Sequence, residues 1–256
     1  MAHVSSLWVA PVKGLGLTSP GEVELGPSGV DDNRRFALLD ESGRRYGALR
    51  DPRLVAIGVE WDGESRRLGL RFPDGTSVDG VVETDGAVET DLFSRVLRGR
   101  LVVGPWGDAI STYLGRQVRL LESEPGGTRA VDRARGPVSL LSEASLAELA
   151  RRAGVDAVDG RRFRMLIHVD GVAPHEEDSW IGREVRVGEA VVRVLEQVAR
   201  CAITTTSPET GRRDLNTLRA IKEYRGIRGE DGIDFGVWGD VATPGRIRVG
   251  DEVEPA

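Results

Sequence analysis

The stretch "EQVARCAITTTSPETG" holds the only cysteine in 256 residues, Cys201, between Arg200 and a run of hydroxyl side chains. A thiolate is a nucleophile and a soft metal ligand, and a neighbouring cation such as Arg200 favours that ionised form. Against this stands the commonest role of a lone cysteine, which is that of a small buried hydrophobe. Nucleophilic catalysis also needs a positioned base, and His3, His168 and His175 are the only histidines. A pairing of Cys201 with His168 or His175 is one option. One cysteine and three scattered histidines have no zinc-ligand spacing. The hydroxyls of Thr204 and Thr205 can donate to an anion or satisfy the backbone of the turn. Ser207-Pro208 starts that turn, and Gly211 is suited to positive φ within it. Basic residues are almost all arginine; Lys13 and Lys222 are the two lysines among 35.

The elements that must hold these residues read as mostly β. Short alternating segments recur ("VSSLWVAPV", "FALLDE", "LVAIGVEW", "RLGLRF", "QVRLLE"), separated by turns at "DESGR", "FPDGT" and "EPGG". This spacing predicts a β-barrel or sandwich with a few peripheral helices. "AVVRVLEQVARC" predicts a strand that delivers Cys201 at or just past its end, where scaffolds present reactive groups. Helices are predicted at 92–99, at "SEASLAELARRAG" with Ser142 as cap and Gly154 as stop, and at "DLNTLRAIKEYRG" with Asp214 as cap and Gly226 as stop. The tail "GRIRVGDEVEP" is predicted to close a sheet. A weak break falls at 104–115, giving an expected division into residues 1–105 and 106–256.

Hydrophobic content of 39% with 30% charged residues is that of an ordinary globular chain. No apolar run is long enough to span a bilayer, and the first residues do not read as a signal peptide. The single cysteine forbids an internal disulfide, which agrees with a cytoplasmic setting. A net charge of −6 argues against bulk nucleic-acid binding. There is no phosphate-binding P-loop and no dinucleotide fingerprint.

Taken in order, the segments "VSSLWVAPVKGL", "GVDDNRRFALLDESG", "RDPRLVAI", "PVSLLSEASLAEL", "RFRMLIHVDGVAPHEEDSWIG", "RCAITTTSPETG" with "LRAIKEYR", and "DFGVWGDVATPGRIRVGDEV" resemble the MOSC proteins that carry an N-terminal MOSC-associated β domain. That family includes the mitochondrial amidoxime-reducing component and bacterial reductases of N-hydroxylated compounds. The resemblance implies an N-terminal β domain followed by a MOSC β-barrel. It also implies a molybdenum cofactor, the Mo–molybdopterin form, with the metal held by the thiolate of Cys201. Lys13, Arg34 and Arg164 are then expected at the pterin or its phosphate, where arginine forks and a lysine point charge suit oxyanions. Of the neighbours Arg34 and Arg35, only one is expected to face the site. The implied activity is reduction of a small N-hydroxylated or N-oxide substrate. Electrons come from a separate donor protein of cytochrome b5, flavin or ferredoxin type, since this chain lacks an iron–sulfur cysteine set. The alternative is a cofactor or sulfur carrier with a persulfide on Cys201; a third is a binding module with an inert cysteine.

Several positions depart from the family pattern. Asn33 stands where aspartate is usual, Gly14 where serine is common, and Met165-Leu166 where Pro-Asn follows the second arginine. Arg135-Gly136 replaces a hydroxyl donor before Pro137, so Arg135 is an expected substitute phosphate contact. Glu177 and Asp178 are expected to brace a loop and pin arginines, Trp180 to fill the core, and His168 to sit on a strand.

Overall fold

The computed structural model describes residues 1–92, 95–126, 129–131, 135–229 and 232–256. The chain runs through β1 (His3–Leu7), β2 (Glu22–Leu25), β3 (Phe36–Asp40), β4 (Arg45–Tyr46), β5 (Gly58–Asp62), β6 (Arg67–Arg71) and β7 (Ser77–Val81). It continues through β8 (Glu83–Leu92), β9 (Arg95–Val103), α1 (Trp106–Leu114), β10 (Val118–Ser123), β11 (Val138–Ser142) and α2 (Glu143–Ala153). The remaining elements are β12 (Ile167–Asp170), β13 (Glu184–Val187), β14 (Ala190–Ala199), α3 (Thr217–Arg225), β15 (Asp234–Thr243), β16 (Gly245–Arg248) and β17 (Val253–Pro255).

Seven strands form one sheet in the order β1-β12-β11-β15-β14-β13-β17. Only β11 and β12 run parallel; the other pairs are antiparallel. The sheet curls until its ends nearly meet. Val4 N–H donates to Asp251 O (2.8 Å), Gly250 N–H to Val4 O (2.8 Å) and Val253 N–H to Ala2 O (3.0 Å). Closure removes exposed strand edges. Inward residues of alternating strands fill the barrel, among them Val4, Leu140, Val185, Val194 and Val237, with Trp180 1% exposed at its heart. A second core lies between the five-stranded sheet β4-β3-β10-β9-β8, the three-stranded sheet β5-β6-β7 and α1.

The sheets do not follow a cut at residue 105. β1 and β2 pair with β12 and β16 of the C-terminal half, whereas β10 pairs with β3 and β9. The tail splits as well: β16 joins β2, and β17 joins β13.

Two helices behave as their caps dictate. Ser142 Oγ accepts from Ser145 N–H at the start of α2, and Gly154 closes it in the left-handed region. α3 stops at Gly226, but its cap is Asn216, not Asp214. Asp214 is instead held by Arg162 through two bonds of 2.7 and 2.8 Å. The helix expected at 92–99 is absent: Leu92 ends β8, and the described residues from Arg95 onward form β9, with 93 and 94 outside the described residues. Burial there alternates with period two, Val96 facing out and Leu97 in, and Leu92 and Leu97 meet Ala37, Leu39 and Leu121. Gly99 betrays the strand, because a Cβ there would lie 2.2 Å from Glu122 O. α1 fills what reads as a break, with Trp106, Ile110 and Leu114 buried at four-residue spacing.

Glu177 and Asp178 have bracing roles. Glu177, 1% exposed, accepts from Ser145 Oγ (2.9 Å), and Asp178 accepts from Arg225 (2.6 Å). Beside them His175 Nε2 meets Tyr224 Oη at 3.2 Å, and its ring packs on Tyr224 and Phe235. Burial, and then the charge of Arg225, push the His175 imidazole down from 6.5 to about 4. A base with a depressed folded pKa takes up its proton more readily unfolded. The stability it contributes is therefore complete above 6.5 and lost as pH falls through about 4. Thermal melts across that window are expected to fall more steeply for wild type than for His175→Asn, since asparagine tolerates the left-handed backbone (φ 61°) found here. Glu177, whose carboxyl burial pushes up, titrates with the opposite sign in both proteins and cancels in the comparison.

Candidate functional site

β14 ends at Ala199, and Cys201 follows as the residue before a short turn, Ala202–Thr205. The thiol is exposed. Its backbone is fixed from below. Cys201 O accepts from Thr204 N–H (3.2 Å) and Thr204 Oγ1 (3.1 Å), and Thr204 Oγ1 meets Thr217 Oγ1 of α3 at 2.8 Å. Both threonines are fully buried. Replacing Thr204 by valine leaves the Thr217 hydroxyl without this partner, at a cost of about 1–3 kcal/mol. Urea denaturation of Thr204→Val is expected to show that loss, with faster alkylation of Cys201 as its turn loosens.

The loop beyond the cysteine is anchored to the other half of the molecule. Gly211 takes φ 66°, and a Cβ there would lie 2.6 Å from Arg53 Cα, so only glycine lets the two backbones meet.

Cys201 opens onto a cavity of about 1250 Å³, its mouth included, between the barrel and the N-terminal sheets. Six cationic side chains line it: Lys13, Arg34, Arg45, Arg50, Arg164 and Arg200. No carboxylate does so among the described residues. In a chain of net charge −6, this is a concentrated positive field suited to an anion. Apolar contact comes from Leu49, Phe163, Met165, Val198 and Ile203.

Each cation is held by its own local structure. Lys13 lies in a turn beyond β1, with its N–H on Phe36 O (2.8 Å) and its Nζ on Ala130 O (2.9 Å). Arg34 has φ 57°, so it precedes β3 in a kink rather than alternating with Arg35 on a strand. Its guanidinium donates to Asn33 Oδ1 (3.1 Å) and to Arg164 O (3.2 Å). Asn33, 4% exposed, thus holds Arg34 through a neutral amide and also accepts from Ala10 N–H (3.1 Å). Arg35 turns away to Glu122 (2.8 Å) and Asp31 (2.9 Å). Arg164, at φ 54°, ends the turn Gly160–Phe163. Arg200 donates to Phe163 O and to Met165 Sδ, its guanidinium 5.2 Å from the Phe163 ring centre.

Cys201, Lys13, Arg34 and Arg164 are therefore brought to one cavity. Arg135, Thr204 and Thr205 are not among its lining residues. Arg135 points to solvent and holds Asp240 with bonds of 3.1 and 2.6 Å. Thr204 faces α3, and Thr205 Oγ1 donates to Ala202 O (2.7 Å), so both hydroxyls serve the turn's backbone. Neither His168 nor His175 lines the cavity. His168 lies on β12 and bonds Glu143 Oε1 through Nδ1 (3.0 Å). Arg45 and Arg50 also line the cavity, and their only mark in the sequence is a pair of arginines bracketing "YGAL" just before "DPRL". Of the replaced Pro-Asn pair, Met165 lines the cavity, while Leu166 belongs to the barrel core.

Cysteine at a strand end, facing a cation-lined cavity between a barrel and a smaller β unit, defines a class of β proteins built around one exposed thiol. Residues 127–254 match the MOSC domain, and residues 1–119 match the MOSC N-terminal beta barrel domain. The chain belongs to the MOSC family, in its form with the N-terminal barrel. It is 27% identical to mitochondrial amidoxime-reducing component 1 of Homo sapiens over 279 residues, covering 98% of this chain and 82% of the relative. Identity to the mouse protein of that name is 28% over the same length. Molybdenum cofactor sulfurase of Danio rerio is 24% identical, across 92% of this chain but 31% of its own length. The solved YUAD protein of Bacillus subtilis covers 99% of this chain and 94% of its own, at 12% identity and a TM-score of 0.46. No helix among the described residues is long and apolar enough to cross a membrane.

Proposed function

We propose that this protein is a molybdenum-cofactor-dependent oxidoreductase that reduces N-hydroxylated compounds in the cavity beneath Cys201. The observation that carries the reading is the exposed thiol of Cys201 on the same cavity as Lys13, Arg34 and Arg164. The donor set fits the group. One sulfur is a soft ligand, and the cations are matched to a phosphorylated, anionic cofactor. No histidine or carboxylate lines the cavity among the described residues, and Cys201 would be the side chain that holds the metal there. When bound, the cofactor supplies a two-electron centre able to accept an oxygen atom.

The chain's residues hold and enclose that chemistry. Cys201 is the protein ligand, set by the Thr204–Thr217 pair. Arg34, joined to Arg164 through that residue's carbonyl, and Lys13 hold the phosphate and pterin. Phe163, Met165 and Ile203 exclude water from the cavity wall, which strengthens every charge interaction inside. The net reaction consumes two electrons and two protons, cleaves the N–O bond and releases water. The chain's one cysteine excludes a cluster of its own, so the electrons come from a partner protein.

The test is turnover of benzamidoxime to benzamidine by dithionite-reduced protein purified from a cofactor-producing host. Retained molybdenum without turnover across amidoximes, hydroxylamines and N-oxides would overturn the reductase reading. It would favour a carrier, as the match to part of a cofactor sulfurase allows. Exchanging Arg34 for glutamine is expected to lower cofactor occupancy by about tenfold or more, since a charged oxyanion loses a charge-assisted contact. Pterin fluorescence after acid release measures that occupancy.

A further inference from the structure

We infer that β4 and the turn after it, Arg45–Arg50, select the substrate, and that the preferred N-hydroxylated compound is an apolar body carrying a carboxylate remote from its N–O group. This rests on the reductase reading above. Five of the six residues in "RYGALR" line the cysteine cavity; the exception, Tyr46, is 5% exposed and serves as the anchor. The turn is rigidly placed. Tyr46 pairs with Leu38 on β3, Arg50 N–H donates to Gly47 O (2.9 Å), and Asp51 N–H donates to the same carbonyl (3.2 Å). Arg50 Nη1 holds Asp40 Oδ2 at 3.0 Å, and its guanidinium lies 5.9 Å from the Tyr46 ring centre, yet the side chain stays 53% exposed.

The chemistry of this wall differs from that of the cofactor side. Lys13, Arg34 and Arg164 come from other segments and are matched to one phosphate. Arg45 and Arg50 form a second cationic pair, with Leu49 between them in sequence, 49% exposed on the cavity wall. An apolar surface bracketed by guanidiniums is complementary to a flat apolar body with a carboxylate, since arginine forks match that anion's geometry. The same two arginines also line a second cavity of about 890 Å³, open mouth included, so they stand where the two spaces adjoin. That second space carries Glu89 and Asp91 beside Arg44, so its charge is mixed, whereas the charged residues described on the cysteine cavity are all cations. A carboxylate held by the arginine pair leaves the apolar body of the substrate along Leu49 and its other end towards Cys201.

The experiment compares para-carboxybenzamidoxime with benzamidoxime on the reduced holoprotein, and the binding of para-carboxybenzamide with that of benzamide by calorimetry. The carboxylate compounds are expected to be favoured about tenfold in kcat/KM and in affinity, less so as salt rises. In Arg45→Gln/Arg50→Gln the ratio is expected to fall to about one. In Arg50→Lys, which keeps the charge without the fork and guards against a folding artefact, an intermediate ratio is expected. A ratio near one in wild type, or one unchanged in the double variant, overturns the inference while benzamidoxime turnover keeps the reductase reading. Tight, arginine-dependent binding of the carboxylate with no turnover of either amidoxime sustains the pocket assignment and fails the reading instead. A nucleotide released from wild-type cofactor and missing from the double variant would give the arginines to the cofactor and overturn the inference.

Discussion

Cys201→Ala protein, made in a cofactor-producing host, is expected to carry almost no molybdenum and to reduce benzamidoxime more than a hundredfold more slowly. Loss of a partner one shell further out already costs about 10–100-fold in metal affinity or activity, and a direct ligand costs more. The fold is expected to survive. Cys201 is exposed at a turn, and its fixed points are backbone groups that alanine retains. Exposed substitutions of this kind change stability by about 0.5 kcal/mol or less. The informative result is thus a variant with an unchanged melting temperature and an empty site. Metal analysis decides it: equal molybdenum in wild type and variant would dismiss the thiolate as ligand, and with it the reading of the cavity. Cys201→Ser sharpens the comparison, because it keeps size and hydrogen bonding while removing the soft sulfur.

Trp106→Ala is expected to cost the N-terminal unit about 3–5 kcal/mol, the largest stability change foreseen for this chain. Trp106 opens α1, is 1% exposed and donates its indole N–H to Leu68 O at 3.0 Å. Its ring covers Gly80 of β7 and Gly104, so truncation opens a void between the helix and the three-stranded sheet. Trp106→Phe keeps most of the volume and removes only the indole bond to Leu68 O, for about 0.5–1.5 kcal/mol. Urea denaturation of both variants tests the account. A cost for Trp106→Ala no larger than for Trp106→Phe would mean that the hydrogen bond, not packing, holds α1.

That helix also shows what local reading misses. Trp106, Ile110 and Leu114 are spaced for one helical face, yet the stretch 104–115 reads as a weak break in the sequence. The opposite error occurs at 92–99, where a short apolar run fits either period until its neighbours Ala37 and Leu121 are known. α2 was legible because its Ser142 cap and Gly154 stop are local chemistry. For α3, Asp214 has the right chemistry for a cap, but Arg162 lies across from it and takes the carboxylate.

The sequence by itself determined the β-rich class, the strand that delivers Cys201, and the one thiol the chain has to offer. Through its resemblance to a family it also marked Lys13, Arg34 and Arg164. Tertiary structure alone decided that β1 pairs with β12, about 160 residues away, and meets the chain around Asp251 to close the barrel. It alone turned Thr204 inward to Thr217 and Arg135 outward to Asp240. It alone brought Arg45 and Arg50 to the wall of the cysteine's cavity. The physical reason is that a cap or a turn is satisfied within a few residues, whereas a cavity wall is assembled from segments whose proximity is fixed by burying a common core.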